Sequence, residues 1–305
     1  MSQKLVNEIQ ELKRRRRAVI LAHNYQLAEV QDIADYVGDS LGLSRQAAAT
    51  DAETIVFCGV LFMAETAAIL SPDKTVLLPD LTAGCPLADM ITAEALNKMK
   101  AEHPNAIVVS YVNSPAEVKA LSDYCCTSGN AVQLVASLPA DRAIIFVPDQ
   151  HLGRHVINKT GREMILWPGY CPTHARMDPD ELSRLKKSFP DAVVMAHPEC
   201  NDAIKSLADE LLSTGQMLAF AKKSSAQRFI VATENGILHA LRKQNPEKRF
   251  YAVSDRAVCP NMKKITLEKV LWAMQDMQYV IRVDAAVAAG ARGALDRMLE
   301  VIPGN

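Results

Sequence analysis

The sequence predicts an α/β protein made of three similar three-layer αβα units with short parallel sheets, arranged about a pseudo-threefold axis with the functional site at the centre. Three observations carry this. Segments beginning at Ala18 (AVILAHNYQLAEVQDIADYVGDS), Ala106 (AIVVSYVNSPAEVKALSDYCCTS) and Ala192 (AVVMAHPECNDAIKSLADELLST) align without a gap. β-Branched apolar runs alternate with amphipathic stretches through all three, the pattern of a parallel sheet covered by helices. Each unit then closes on a cysteine followed by proline, at Cys85, Cys171 and Cys259, a repeat of about 87 residues.

Taken in order, the stretch before Ala18 reads as an amphipathic surface helix ending in the basic run Lys13 to Arg17, a solvated face. AVILAH supplies a buried strand, and Val30, Ile33, Ala34 and Val37 recur at helical spacing, predicting a helix across them. ETIVFCGVLFMAETAAIL reads as strand, turn and helix, and KTVLLPD as a third strand leading into the Cys85 loop. The second unit repeats this with RAIIFVPDQHLGRHVI and REMILWPG, which leads to Cys171; its vicinal Cys125 and Cys126 fall in the helical stretch as packing residues. The third repeats it with RFIVATENGILHALRK and KRFYAVSD, which leads to Cys259. The units are expected at 1–103 with the N-terminal helix, at 104–189, and at 190–305 with C-terminal helices.

The chain has 305 residues, 49% apolar and 23% charged, ordinary for a soluble globular protein. A net charge of −1 argues against general nucleic-acid affinity, and no apolar run reaches membrane-spanning length. A cytoplasmic protein is expected, and a monomer, since three units can close on themselves. Seven scattered cysteines suit reduced thiols and a metal site better than disulfides. Cys58, Cys125, Cys126 and Cys200 read as small buried hydrophobes.

Parallel sheets bind ligands beyond the carboxyl ends of their strands. The matched positions there are His23, Tyr111 and His197, then Tyr25, Asn113 and Glu199, and further on Ser40, Ser128 and Thr214. Symmetry would bring the three cysteines together among them. Three thiolates can hold a [4Fe-4S] cluster with its fourth iron open as a Lewis acid. Zinc, with His174 as fourth ligand, is the competing metal, disfavoured because structural zinc sites pair ligands at C-x-x-C spacing and the chain has none.

Three Cys-Pro loops, with LAHNYQ, YVNS and HPEC in that order, resemble the quinolinate synthase family over essentially the whole chain. The resemblance implies condensation of iminoaspartate with dihydroxyacetone phosphate to quinolinate, with loss of phosphate and two waters, in bacterial NAD biosynthesis. It matches Cys85, Cys171 and Cys259 to the family's cluster ligands. It matches His23 and Tyr25, Tyr111 and Asn113, and His197 and Glu199 to its strand-end motifs, and Ser40, Ser128 and Thr214 to hydroxyls lining its site. Condensation and dehydration move protons, for which Glu199 is the expected base and Tyr25 a shuttle, with His23 and His197 as donors to the anionic substrates. An L-aspartate oxidase or dehydrogenase is the expected source of iminoaspartate. The alternatives are another open-iron hydro-lyase acting on a small carboxylate, and a non-catalytic metabolite-binding protein with a structural metal. A radical enzyme lacks its C-x-x-x-C-x-x-C clustering here.

Overall fold

The structure, a computed structural model, describes residues 3–301. Helix α1 (Gln3–Arg15) precedes β1 (Ala18–His23), α2 (Ala28–Ile33), β2 (Tyr36–Gly38), α3 (Ser40–Ala49), β3 (Thr54–Cys58), α4 (Leu61–Leu70), β4 (Thr75–Leu77) and, after the Cys85 loop, α5 (Ala93–Glu102). The second run is β5 (Ile107–Tyr111), α6 (Ala116–Ala120), β6 (Tyr124–Cys126), α7 (Ala131–Ser137), β7 (Ile144–Val147), α8 (Gln150–Thr160), β8 (Ile165–Leu166), α9 (Pro172–Ala175) and α10 (Pro179–Ser188). The third is β9 (Val193–Ala196), α11 (Asp202–Leu207), β10 (Glu210–Leu211), α12 (Thr214–Lys223), β11 (Arg228–Ala232), α13 (Ile237–Gln244), β12 (Arg249–Ala252), α14 (Leu267–Asp276) and α15 (Ala285–Glu300).

These strands form three four-stranded parallel sheets with one topology: β2-β1-β3-β4, β6-β5-β7-β8 and β10-β9-β11-β12. Helices cover both faces, so the central strands are apolar throughout. Ile20, Leu21, Ile55, Val108, Ile145, Phe146, Val194 and Ile230 are fully buried. Cys58, Cys125, Cys126 and Cys200 are fully buried as well. The closing helices return to the earlier units: α14 packs on α1 and β3, and α15 on α4, α6 and β6. Among the described residues no helix is long and apolar enough to cross a membrane. Members of the basic run at the end of α1 have partners within the chain: Lys13 with Asp35, Arg16 with the carbonyls of Met274 and Gln275, and Arg17 with Glu53.

One expectation needs correction. Each unit has a fourth, edge strand where the spacing predicts continuous helix: α2 stops at Ile33, Tyr36–Gly38 pairs with β1, and Cys125 and Cys126 lie in strand β6, not in a helix. The cause is an aspartate at the same place in each repeat. The N–H groups of Asp35, Asp123 and Asp209 donate to the carbonyls of Ile20, Val108 and Val194 at 2.9, 3.0 and 3.0 Å. Their carboxylates accept the N–H groups of those same three residues, each at 2.8 Å. This two-way grip pulls the chain onto the sheet edge for two or three residues, too few to leave a period-2 signal. Ser40 and Thr214 consequently open α3 and α12 after a strand rather than after a helix.

Candidate active site

Twelve residues singled out from the sequence line one cavity, four from each unit. They are His23, Tyr25, Ser40 and Cys85; Tyr111, Asn113, Ser128 and Cys171; and His197, Glu199, Thr214 and Cys259. Parallel strands put them there, since β1, β5 and β9 all end at this face. The cysteine loops are held by one backbone bond made in every unit. Leu61, Gln150 and Asn235, at the heads of α4, α8 and α13, donate N–H to Ala83, Gly169 and Ala257 at 2.8, 2.9 and 2.8 Å. Each acceptor stands two residues before its cysteine. All three thiols border both this cavity and a second one lined by Pro86, Pro172 and Pro260.

Those thiols fit a metal group. All seven cysteines are free. Burial pushes Cys85 up to about 12, with backbone N–H groups of Ala88 and Leu87 pulling the other way and Cys259 adding to the rise. Cys171 and Cys259 are raised too, again chiefly by burial, and also receive backbone N–H groups, from His174 and from Met262 and Asn261. Three soft donors lining one cavity, each with N–H groups aimed at sulfur, are what a thiolate-bound cluster requires.

The strand-end motifs have matched geometry. Tyr25 N–H donates to His23 Nδ1, and Glu199 N–H to His197 Nδ1, each at 3.2 Å. Burial lowers both histidines to about 3, so both rings are neutral at physiological pH. With Nδ1 accepting, the proton sits on Nε2. His197 Nε2 reaches Ser128 Oγ at 3.1 Å. Thr214 Oγ1 accepts from Asn24 Nδ2 at 2.9 Å. Both hydroxyls thus have an acceptor lone pair filled and a hydrogen left to donate.

Glu199 is the centre of the charge pattern. Burial pushes its carboxyl up, but His174 and His197 beside it, and hydrogen bonds from His174 and Tyr111, hold it well below the usual carboxylate range. Tyr111 Oη donates to its Oε1 at 2.5 Å, and His174 Nδ1 lies 3.0 Å from its Oε2. On the other side His174 Nε2 is 2.8 Å from Thr233 Oγ1, which is 2.6 Å from Tyr25 Oη. Burial, then Glu199, pushes the Tyr25 and Tyr111 phenols well above their ordinary value. Asn113 Oδ1 is buried with no partner among the described residues. No lysine or arginine lines the cavity among the described residues.

Thr233 and Asn24 were not among the residues selected by sequence, and His174 entered only as a zinc ligand. Thr233 and Glu234 follow β11, as Gly59 and Val60 follow β3 and Pro148 and Asp149 follow β7. These three loops share no residue type, so their matched positions carry no common chemistry.

Two consequences are measurable. A Cβ on Gly236 would lie 2.7 Å from the backbone C and O of Tyr25 and 2.8 Å from Glu234 Oε2. Gly236→Ala is expected to lower stability by about 1–3 kcal/mol in denaturant melts, and to cut turnover at least about tenfold by displacing Tyr25. Separately, His23, His197 and His155, the last held near 4 mainly by burial, stay neutral when folded. The unfolded chain takes up protons below its ordinary histidine value of 6.5, and the folded chain does not. Stability of the metal-free protein is therefore expected to fall as pH drops from about 6.5 towards 4, by up to about 1.4 kcal/mol per pH unit per histidine. Urea titrations at stepped pH measure the slope.

Residues 7–300 match the family model described as NadA: Quinolinate synthetase A protein. The chain is 54% identical over 296 residues to a quinolinate synthase of Dehalococcoides mccartyi (strain CBDB1), covering 97% of this chain and 98% of that one. It is 53% identical over 295 residues to one from Geotalea uraniireducens (strain Rf4), covering 97% of each chain. With one from Thermus thermophilus it shares 54% identity over 301 residues, 97% of each.

Proposed function

The chain belongs to the quinolinate synthetase A family and is an enzyme, and we propose that it condenses iminoaspartate with dihydroxyacetone phosphate to give quinolinate, phosphate and two waters. The observation behind this reading is the single cavity to which each unit contributes one cysteine, one hydroxyl and a pair of strand-end polar groups. Cys85, Cys171 and Cys259 would hold a [4Fe-4S] cluster, which when bound supplies a Lewis acid at its open iron.

The protein's own groups account for the rest. Both substrates are anionic, and with no lysine or arginine among the described lining residues they are held by neutral donors: Nε2–H of His23, the hydroxyls of Ser128 and Thr214, and Ser40 at the first turn of α3, where the helix dipole favours negative charge. Asn113 presents its side-chain amide to the same space. Glu199 takes a proton during isomerisation, imine formation or dehydration. Its Oε2 accepts from His174 Nδ1–H, so His174 Nε2 accepts from Thr233 Oγ1–H, and Thr233 in turn accepts from Tyr25 Oη–H. A proton given up at Tyr25 can be passed along this line, so acid and base are linked within the site. His197 orients Ser128, and Tyr111 fixes the second oxygen of Glu199.

We also read residues 1–103, 104–189 and 190–305 as the three units, set about a pseudo-threefold axis through the cavity. On this reading the enzyme works in NAD biosynthesis as a cytoplasmic monomer, supplied with iminoaspartate by an L-aspartate oxidase or dehydrogenase.

A second reading has one observation in its favour. Donor atoms of Cys171, His174 and Glu199 lie within 4.8 Å of one another, a set that suits a single zinc ion. It leaves Cys85 and Cys259 without a role. Anaerobic reconstitution with iron and sulfide counts, followed by a quinolinate assay on synthetic substrates, tests both. About four irons and four sulfides per chain with quinolinate formed is the expected result. One zinc, or a cluster without quinolinate, overturns it, the latter in favour of another hydro-lyase.

A further inference from the structure

The ion pair of Glu234 and Lys263 takes no part in the proton line, yet it touches both a cysteine loop and the Tyr25 loop. Glu234 is fully buried. Its Oε1 accepts the backbone N–H of Cys259 at 3.0 Å and lies 2.9 Å from Lys263 Nζ, while Oε2 accepts the N–H of Gly236 at 2.7 Å. Lys263 Nζ also donates to the backbone carbonyl of Tyr25. One carboxylate and one ammonium thereby join three backbones: the Cys259 loop, the head of α13 and the loop after β1.

The first two units are built differently at these positions. Glu234 corresponds to Val60 and Asp149, and Lys263, four residues past its cysteine, to Asp89 and Ala175. Val60 carries no polar side chain, and Asp149 uses Oδ1 to cap α8 at the N–H of Leu152. The repeat therefore accounts for the backbone bond two residues before each cysteine, and not for this pair. An ion pair with its carboxylate buried and its ammonium partly exposed adds little net stability compared with apolar packing. Fixing three chain segments relative to one another is a task that such a pair does suit.

We propose that Glu234 and Lys263 are positioning residues that set the Cys259 loop against the Tyr25 loop, so that the third thiol and the Tyr25 hydroxyl keep a fixed relation. The proposal rests on the reading of Cys259 and Tyr25 given above.

Glu234→Gln preserves side-chain length, Lys263→Met keeps an unbranched chain one atom shorter, and each removes one charge. In the full-length, metal-free chain, iodoacetamide labelling read by mass spectrometry gives a separate rate for Cys85, Cys171 and Cys259. Both variants are expected to speed labelling of Cys259 at least about threefold through local loosening, with Cys85 and Cys171 changed less than about twofold. The sign in Lys263→Met is decisive. The charge of Lys263 favours the Cys259 thiolate and that of Glu234 opposes it, so charge alone would slow labelling in Lys263→Met and speed it only in Glu234→Gln. After anaerobic reconstitution, Lys263→Met is expected to lose about tenfold in kcat with KM nearly unchanged. A Cys259 rate that is unchanged or slower in Lys263→Met, or a joint rise at all three cysteines, overturns the proposal. Wild-type protein that takes up no iron, with the labelling pattern as expected, would leave the clamp standing and remove the cluster reading instead.

Discussion

Cys85→Ala, Cys171→Ala and Cys259→Ala are each expected to bring quinolinate formation down by at least about a hundredfold, beyond the 10–100-fold usual for outer-shell changes around a metal. Each unit gives a single thiol to the shared wall of the two cavities, so no neighbouring cysteine can stand in for a lost one. The fully buried Cys58, Cys125, Cys126 and Cys200 belong to the core. The loss should be visible as missing iron and sulfide after reconstitution. Melting of the metal-free variants should stay close to wild type, because burial keeps these thiols neutral without metal and alanine removes little packing. The holo form should lose the stabilisation that comes from binding only the folded state. Cys200→Ala is the control: it should cost about 1 kcal/mol of core packing and leave iron content unchanged. Iron retained in any one of the three ligand variants would exclude that residue from the site.

Glu199→Gln is the second large effect. Both oxygens of Glu199 accept, one from Tyr111 Oη and one from His174 Nδ1. An amide supplies only one acceptor, so its NH₂ must face a donor or force His174 into the other tautomer. The base is lost, and with the NH₂ turned to His174 the line to Tyr25 is reversed in the same substitution. A fall of about 10²–10⁴ in kcat is expected, with KM altered only a few-fold, since Ser128, Thr214, His23 and Asn113 still hold the substrates. Steady-state kinetics on reconstituted protein with its iron counted separates this from a cluster defect. Activity within about threefold of wild type would remove Glu199 from the role of base.

Much of this arrangement is written locally in the chain. Apolar runs such as AVILA, five residues, and IIFV, four, sit in β1 and β7 as their composition indicates. Repetition of the whole pattern three times gave the α/β class and three sheets, because a strand and its covering helix are encoded within about 30 residues. The same repetition selected the strand-end residues that share the cavity: equal position in equal units implies equal direction. Strands β2, β6 and β10 escaped because they are two or three residues long and depend on an aspartate gripping a strand 15 residues earlier.

What only the tertiary structure decided lies between the units. Tyr25 meets Thr233 across 208 positions of sequence, Thr233 meets His174 across 59, and Lys263 reaches the Tyr25 carbonyl across 238. Each contact depends on loops from two different sheets arriving within about 3 Å of one another, and no periodicity or spacing along the chain records that distance. The sequence by itself determined which groups point out of each sheet; the packing of the three units determined which of them touch, and hence which can exchange a proton or fix a loop.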